Sequence, residues 1–347
     1  MIDLREFATV PGWNPDISLS DAVVAAPKIH QFLERAAAEY RANPVGFGKP
    51  EELIVSGRHF AVASSQNGLL RDSVHTIPGF KWSQVFEPVK RISFSDQDRI
   101  LVSASAGHGN YYHWVSESLA AALMYRSMHG DGEIPLVVPT LGEGWQRDAL
   151  AALQIDNPLI EVSAEEALVC RGGVISSLTG PGNAFAPHPA VLALMQQQRP
   201  AGEERRSPNL LLYVSRQDAG DRRRMLNEDD LSSTLEKLGF EIVTLGRTPV
   251  AEQIALFRKA RLIVSPHGAA LTNLLFTANG QDGPMVVELF QENYLNRCFL
   301  KMCQGKHLSY HAIVNSTVSQ GVHHHQSEWR ADLKLVADVI ETILRNP

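Results

Sequence analysis

Cysteine is scarce in this chain of 347 residues. Its three copies are scattered at Cys170, Cys298 and Cys303, and no Cys-x-x-Cys pair occurs. Three isolated cysteines cannot form the framework of disulfides that stabilises many small secreted domains. Their low number is typical of a reducing compartment, so we expect a cytoplasmic location.

Long apolar runs are also absent. No window reaches the about 18–20 continuous apolar residues that a membrane-spanning helix needs. Residues 1–6 are charged and lack the apolar stretch of a signal peptide. These absences predict a soluble protein. If it acts on membrane-linked material, we expect peripheral association at the inner face of the membrane or action through partners.

Neither sign of charge dominates the composition. Lys and Arg total 32 against 38 Asp and Glu, which gives a net charge of -6. A mildly acidic chain lacks the general positive field that attracts nucleic acid, so no nucleic-acid partner is expected. The 44% hydrophobic and 20% charged residues exclude a mostly disordered chain or a fibre. The length corresponds to about two domains.

Short apolar runs alternate with helical patterns in the second half. The runs at 209–215, 262–265 and 285–289 are nearly continuous, which is typical of parallel strands covered on both faces. The pattern predicts an α/β, Rossmann-like domain over residues 205–320. Ligands of such a domain bind at the carboxyl ends of its strands. The residues at or near those ends are Ser215, Ser265 and Glu288.

With a further strand predicted at 241–245, a helix is predicted after each of the four strands. Asn227 and Asp230 form a capping-box pattern ahead of the first, and Gly239 is placed to end it. Thr248 would cap the second helix, with Pro249 at its first position. The other two helices are predicted at residues 268–276 and 293–304.

The first half predicts a second α/β domain over residues 1–200, with extra elements at its front. The polar segment 196–208 is the expected linker between the domains. An amphipathic helix is predicted at residues 328–345. The expected elements of the first half are strands at 53–56, 60–63, 100–103 and 135–139 and helices at 113–128 and 145–153.

Two polar motifs are not expected to bind a metal ion. Asp96-Gln97-Asp98 has the D-x-D pattern that holds a divalent ion in some sugar-nucleotide enzymes, but Arg99 and a strand follow it, so we interpret it as a turn. The run His323-His324-His325 lies in a polar stretch with nothing to complete a coordination shell. The sequence therefore predicts no metal site.

The segment 265–273 is suited to phosphate binding, because a strand ends there and a helix begins. Helix N-termini present unpaired N–H groups and a partial positive charge. Gly268 and Ala269 leave room for a ligand to approach the backbone, and His267 is a donor at the same place. The alternative is an ordinary helix start in which His267 caps or packs.

Arginines follow the first strand of the same domain, at Arg216 and at the consecutive positions 222–224. Guanidinium groups at a strand end suit a diphosphate. The alternative is a solvated basic loop neutralised by Asp218 and Asp221. The Gly-x-Gly-x-x-Gly pattern is missing after this strand, which argues against a dinucleotide-dependent oxidoreductase.

A histidine and a carboxylate share one helix face in the first half. His113 and Glu117 are four residues apart, after the glycine-rich segment that contains His108. A carboxylate orients an imidazole and raises its basicity, as general-base catalysis requires. Alternatives are a metal half-site or a hydrogen bond that braces the helix, and the spacing of the two histidines fits no zinc pattern. Which of His113 and Glu117 acts as the base stays open.

Several segments together resemble glycosyltransferase family 61. In the first half these are Asn110-Tyr111-Tyr112-His113-Trp114 and Glu117. In the second half they are the segments 213–216, 222–228, 238–241, 252–257, 266–276 and 287–289. The family includes bacterial capsular-polysaccharide-type proteins, plant xylan-decorating enzymes and animal O-linked N-acetylglucosaminyltransferases.

The resemblance implies a GT-B architecture, in which two Rossmann-like domains face each other across a cleft. It implies transfer with inversion from a nucleotide-sugar donor, UDP-sugar by default, without a metal or other cofactor. The acceptor would be a glycan such as a capsular or other surface polysaccharide. In GT-B enzymes the last helix often crosses back to the first domain, as residues 328–345 could do. The alternative is a non-catalytic protein of this fold that binds a nucleotide sugar or glycan.

The residues expected in the site fall into three groups. His113 and Glu117 are the catalytic pair, and His108 and Asn110 lie on the acceptor side. The donor-binding group is Ser215, Arg216, Arg224, Asn227, His267, Gly268, Ala269, Asn273 and Glu288.

Overall fold

A computed structural model shows two compact units of mixed α/β structure. One consists of residues 1–8 and 41–201, and the other of residues 9–40 and 202–347. The structure describes residues 9–10, 16–19, 27–38, 40–41, 45–49, 52–64, 68–69, 90–95, 99–130, 132–142, 144–179, 186–199, 208–220, 222–319 and 326–345. The sequence placed residues 9–40 in the first domain, whereas their strand and helix belong to the second unit.

The second unit is built on a six-stranded sheet in which every neighbouring pair is parallel. The strands, in their order across the sheet, are β15 (Glu241–Val243), β14 (Leu210–Val214), β16 (Ala260–Pro266), β17 (Met285–Gln291), β18 (Tyr310–Asn315) and β2 (Asp16–Leu19). After β14 the chain forms β15 on one side and then β16, β17 and β18 on the other, where the N-terminal β2 is the edge strand. Buried apolar side chains fill the central strands, as the continuous runs predicted.

Helices connect these strands. Gly239 adopts φ +89, a left-handed conformation that favours glycine, and ends the first of them as expected. The fourth helix begins at Cys298, five residues later than predicted. The helices of this unit are α1 (Pro27–Ala38), α6 (Glu228–Lys237), α7 (Val250–Lys259), α8 (Cys298–Gly305), α9 (Leu333–Arg345) and the 3₁₀ helices Ala269–Phe276 and Gly280–Asp282.

The two predicted helix caps are wrong. No side chain caps α6, because the Asn227 amide is engaged elsewhere: it donates to the Ala331 carbonyl and accepts from the Ala331 N–H, both at 2.9 Å. The Thr248 hydroxyl donates back to the Thr244 carbonyl, so it does not cap α7, and Pro249 stands just before that helix. In both cases a competing hydrogen bond takes the capping side chain.

The C-terminal helix α9 packs into the core of the second unit. Val336, Ile340 and Ile343 join a cluster that also contains Leu231 and Leu235 of α6. Trp329, just before the helix, is almost fully buried in the same cluster. The amphipathic pattern of residues 328–345 is thus explained by packing on this unit.

The first unit contains two five-stranded sheets. One is parallel except for its last pair and has the order β11 (Leu159–Val162), β10 (Leu136–Pro139), β9 (Ile100–Val102), β13 (Gly173–Ser176) and β4 (Phe47–Gly48). The other is mostly antiparallel and has the order β7 (Gly68–Leu69), β6 (Val62–Ser64), β5 (Glu52–Ser56), β12 (Glu166–Arg171) and β8 (Arg91–Ser95).

The long helix predicted at 113–128 consists of three consecutive segments. A π-helical segment, Trp114–Leu119, stands between α2 (Tyr111–His113) and α3 (Ala120–His129), and all six of its residues are buried. Such π segments are frequent at functional sites. The remaining helices of this unit are α4 (Trp145–Ala152), α5 (Pro189–Gln197) and the 3₁₀ helix Ser177–Thr179.

Two short sheets complete the described structure: β1 (Thr9–Val10) with β3 (Tyr40–Arg41), and β19 (Thr317–Ser319) with β20 (Glu328–Trp329). Three sequence predictions lie wholly or mostly outside the described residues: the turn at 96–98, the histidine run at 323–325 and most of the linker at 196–208. Across the described ranges, no helix is both long and apolar enough to cross a membrane.

We expect Asn227→Ala to destabilise the second unit. The substitution removes both hydrogen bonds to the buried backbone of Ala331, which costs about 1–3 kcal/mol in the free energy of unfolding. Urea denaturation measures the loss, with Asn209→Ala at an exposed site as the matched control. Equal stability of the two variants would contradict a structural role for this amide.

Candidate functional site

The carboxyl edge of the parallel sheet brings together residues that are far apart in the sequence. Ser265 of β16 and Glu288 of β17 are direct partners in the strand register. His267 follows β16, and its N–H donates to the Leu289 carbonyl at 2.9 Å. Ser215 and Arg216 follow β14 at the same edge. These residues therefore lie at the same edge of the sheet, as the sequence predicted.

A buried hydrogen-bonded chain runs through His267. Its Nδ1 lies 2.5 Å from Oε1 of Glu288, and the Tyr310 hydroxyl donates to Oε2 of the same carboxylate at 2.6 Å. Glu288 is fully inaccessible to solvent and His267 is 8% exposed. Burial lowers the pKa of His267, and Glu288 opposes that effect. Burial and Glu288 raise the pKa of Tyr310.

A second buried carboxylate, Glu228 at the start of α6, organises the loop after β14. Its Oε1 accepts from the Tyr213 hydroxyl at 2.9 Å, from the Ser215 hydroxyl at 2.8 Å and from the Arg216 N–H at 2.9 Å. Burial and this carboxylate raise the pKa of Tyr213. Glu228 thereby fixes the backbone from which the Arg216 side chain extends.

Arg216 lies directly against Gly268. A Cβ atom at position 268 would stand 2.0 Å from Nη1 of Arg216, so only glycine allows this approach. Arg223 faces the same region, and the two arginines both border the cavities at this edge. Burial and then the charge of Arg223 lower the pKa of Arg216 to about 10, and burial lowers the pKa of Arg223.

The position of Arg223 depends on Trp329. The Trp329 indole donates to the Arg223 carbonyl at 3.0 Å, and the Trp329 N–H donates to the Arg224 carbonyl at 3.1 Å. Arg223 itself has φ +56, a conformation that non-glycine residues seldom adopt. Its guanidinium stacks 4.5 Å from the ring centre of Tyr294, a cation–π contact. Strained backbone of this kind clusters at functional sites.

A cavity of about 430 Å³ opens beside the two arginines, within the size range of ligand pockets. Arg224 also borders it, although its side chain is 64% exposed and lies 3.9 Å from Glu328. The Nε atoms of Arg216 and Arg223 are buried and have no hydrogen-bond partner among the described residues. Two guanidinium groups with unused donors beside a cavity have the chemistry that suits an anion with several oxygens.

The first unit carries a second histidine–carboxylate pair. Nδ1 of His113 lies 2.7 Å from Oε1 of Glu117, and the Ser105 hydroxyl donates to Oε2 at 2.8 Å. The carboxylate is 1% exposed and the imidazole 21% exposed. The π segment supplies Glu117, and Gly107 lies against the His113 ring so closely that a Cβ atom there would stand 2.7 Å from Cγ. This arrangement holds the imidazole in one orientation.

Asn110 and His108 lie in the loop before this pair. The Asn110 side chain caps α2 by accepting from the Tyr112 N–H at 2.8 Å. The His108 ring packs against Phe60 with ring centres 5.5 Å apart, and burial lowers its pKa. Both residues shape the loop that leads to His113.

Both asparagines predicted for the donor group have their side chains engaged within the fold, as do Ser215 and Glu288. Asn227 bonds to Ala331 as described above, and the Asn273 amide donates to Gln253 and to the Ala270 carbonyl, each at 3.1 Å. Ala269 begins the 3₁₀ helix next to Gly268. In the described ranges, no group of three or more His, Cys, Asp or Glu residues is arranged to hold a metal ion.

Sequence reasoning missed several residues of this edge. The sequence prediction named Arg224 of the three consecutive arginines, whereas Arg223 is the one whose side chain turns inward, and its neighbours in the sequence carry no sign of this. Glu228 was interpreted as part of a helix start. The other residues without a clear signal were Tyr294, Tyr310 and Trp329.

Comparison with known proteins matches this region to one family. The family model described as Glycosyltransferase 61 covers residues 111–283. Residues 111–283 of the chain belong to glycosyltransferase family 61. This confirms the resemblance inferred from the sequence, and the matched region includes His113, Glu117, Arg216, Arg223 and His267.

A curated relative agrees with this assignment. The chain is similar to the EGF domain-specific O-linked N-acetylglucosamine transferase of Drosophila melanogaster, with 38% identity over 72 residues. The aligned segment is 20% of this chain and 14% of the fly protein. The chain thus matches only a small part of that relative.

We expect Gly268→Ala to weaken binding of inorganic pyrophosphate. The added methyl group would occupy the space of the Arg216 guanidinium, so Arg216 must move. Isothermal titration calorimetry measures the loss, about tenfold or more if one charged hydrogen bond is lost. Gly142→Ala is the control, because nothing lies within 4 Å of a Cβ atom there. Unchanged affinity in the Gly268 variant would contradict the proposed contribution of Arg216.

Proposed function

We propose that the protein is an inverting glycosyltransferase that moves a sugar from a nucleotide-sugar donor to a glycan acceptor. The observation that carries this proposal is the pair Arg216 and Arg223, placed beside a cavity at the carboxyl edge of a parallel sheet inside the family 61 region. In sheets of this kind, ligands bind at that edge.

The arginine pair would bind the diphosphate of the donor. When the bond between the anomeric carbon and the phosphate oxygen breaks, its electron pair stays on the diphosphate. That negative charge must be stabilised, and guanidinium groups at fixed positions stabilise it in this proposal. We therefore propose that transfer needs no divalent metal ion.

His113 would act as the general base, with Glu117 as its positioning residue. As the acceptor oxygen attacks the anomeric carbon, its hydroxyl proton passes to Nε2 of His113, the ring nitrogen opposite the one that contacts Glu117. The buried carboxylate and the partly exposed imidazole support this assignment over the reverse one. Glu117, at 1% exposure, is poorly placed to meet an acceptor directly.

Finer features of the proposal stay predictions. These are the GT-B arrangement of the two units, the UDP carrier and the capsular or surface-polysaccharide acceptor. The fly relative is named for N-acetylglucosamine transfer, so UDP-N-acetylglucosamine is the first donor to test. The cytoplasmic location inferred from the sequence likewise stays a prediction.

Hydrolysis of nucleotide sugars in the absence of an acceptor tests the activity. The release of the nucleoside diphosphate is measured for a panel of these donors. We expect slow release that persists in EDTA. Arg223→Ala should weaken donor affinity by about 1.5–3 kcal/mol per charged hydrogen bond lost. Arg222→Ala is the matched control, since position 222 is exposed.

Activity that EDTA abolishes and Mn²⁺ restores would contradict the metal-independent mechanism. Binding of a nucleotide sugar without release, and without transfer to any glycan tested, would favour a non-catalytic binding protein. Equal donor affinities of the two arginine variants would remove Arg223 from the site.

His113→Ala and Glu117→Gln, made separately, test the proposed base. We expect His113→Ala to lower kcat by about 10²–10⁴-fold with donor affinity nearly unchanged, because only proton removal is lost. Glu117→Gln keeps the imidazole but removes its charged partner, so its effect on kcat should be smaller. Both variants are checked by thermal melting. Near wild-type kcat in two folded variants would place the base elsewhere.

A further inference from the structure

The mechanism proposed for sugar transfer does not use the buried imidazole of His267. It is enclosed by aromatic rings, with the ring centres of Phe290 at 5.4 Å, Phe299 at 5.3 Å and Tyr294 at 5.5 Å. It also borders a small cavity together with Arg216 and Arg223. A polar side chain in such surroundings requires a specific partner on each nitrogen.

The contact with Glu288 fixes the tautomer of this ring. A carboxylate is an acceptor, so Nδ1 of His267 carries the hydrogen in the 2.5 Å contact. When the ring is neutral, Nε2 then holds a lone pair and cannot donate. The oxygens of a diphosphate are acceptors as well. Contact between Nε2 and a diphosphate oxygen is therefore attractive only if the ring gains a proton.

The charged groups around His267 favour different protonation states before and after a ligand arrives. Burial lowers the pKa of His267, Glu288 of β17 raises it, and Arg223 and Arg216 from the loop after β14 lower it. The other titratable groups facing this pair are Tyr310 of β18, Cys298 and Cys303 of α8, and Tyr294, whose ring contacts His267. Burial raises the pKa of Tyr310 and of both cysteines. An anion beside the two arginines offsets their charge and favours the protonated ring.

We infer that His267 takes up one proton from solvent at Nε2 when a nucleotide-sugar diphosphate binds, and that the imidazolium donates a hydrogen bond to the leaving phosphate. The Nδ1 hydrogen stays with Glu288 throughout. When the bond to the anomeric carbon breaks, the electron pair remains on the phosphate oxygen, and His267 adds a third positive charge to those of Arg216 and Arg223. This inference rests on the proposed donor site.

The test is the pH dependence of donor binding. Isothermal titration calorimetry with UDP-N-acetylglucosamine is run from about pH 6 to about pH 8.5, a range in which histidine titrates and the diester diphosphate does not. We expect affinity to fall by about tenfold per pH unit between the pKa of His267 in the free protein and its higher pKa in the complex, as one linked proton requires. Buffers of different ionisation enthalpy should report uptake of close to one proton.

His267→Gln is the informative variant, because its amide can donate near the position of Nε2 but cannot titrate in this range. We expect it to bind the nucleotide sugar with an affinity that no longer depends on pH. The same replacement at exposed His307 is the matched control and should keep the wild-type pH dependence. Thermal melting confirms that each variant is folded.

Three results would overturn the inference. Wild-type binding that is independent of pH and of buffer would mean that the His267–Glu288 pair already holds the proton. Retained pH dependence in a folded His267→Gln variant would assign the proton to another group. If His267→Gln does not fold, the proton uptake measured by calorimetry on the wild-type protein decides whether the inference holds. Absence of binding at any pH would instead reject the proposed donor site, and this inference with it.

Discussion

The second unit holds two guanidinium groups close to one another at the edge of its sheet. Like charges in a partly buried place repel each other, and both Arg216 and Arg223 have lowered pKa values there. Two buried carboxylates lie nearby, but each is occupied: Glu228 with the loop after β14 and Glu288 with His267 and Tyr310. Binding of an anion would relieve this repulsion, which is why we propose the diphosphate of the donor as the ligand at this point.

Several distant parts of the chain are needed to keep this arrangement. Trp329 holds the backbone of Arg223 from a position 106 residues away, and the core around α9 holds Trp329. Gly268 gives Arg216 its space, and the parallel sheet sets the positions of both loops. The C-terminal helix α9 therefore contacts Trp329, and Trp329 contacts Arg223. In addition to covering the sheet, the helix supports the position of Arg223.

The two histidine–carboxylate pairs differ in a way that matches the roles proposed for them. The His113 imidazole is partly open to solvent while its carboxylate is buried, which suits exchange of a proton with an incoming hydroxyl. The His267 imidazole is enclosed by aromatic rings and borders the cavity of the arginines. In this position the His267 imidazole is suited to stabilise a bound anion electrostatically.

The sequence predicted the features that depend on local pattern. The strands of the second unit follow from continuous apolar runs, and the pairing of His113 with Glu117 follows from helical spacing, even though the helix contains a π segment. It could not predict contacts that join remote segments, such as Trp329 with Arg223 or Asn227 with Ala331. The strand at residues 16–19 was missed for the same reason, since its partner β18 lies almost 300 residues further along the chain.

A crystal structure of the protein with bound UDP tests the central claim most directly. We expect diphosphate oxygens within hydrogen-bond distance of the Arg216 and Arg223 guanidinium groups, next to the backbone of Gly268 and the ring of His267. UDP bound at another surface, with both arginines unliganded, would contradict it.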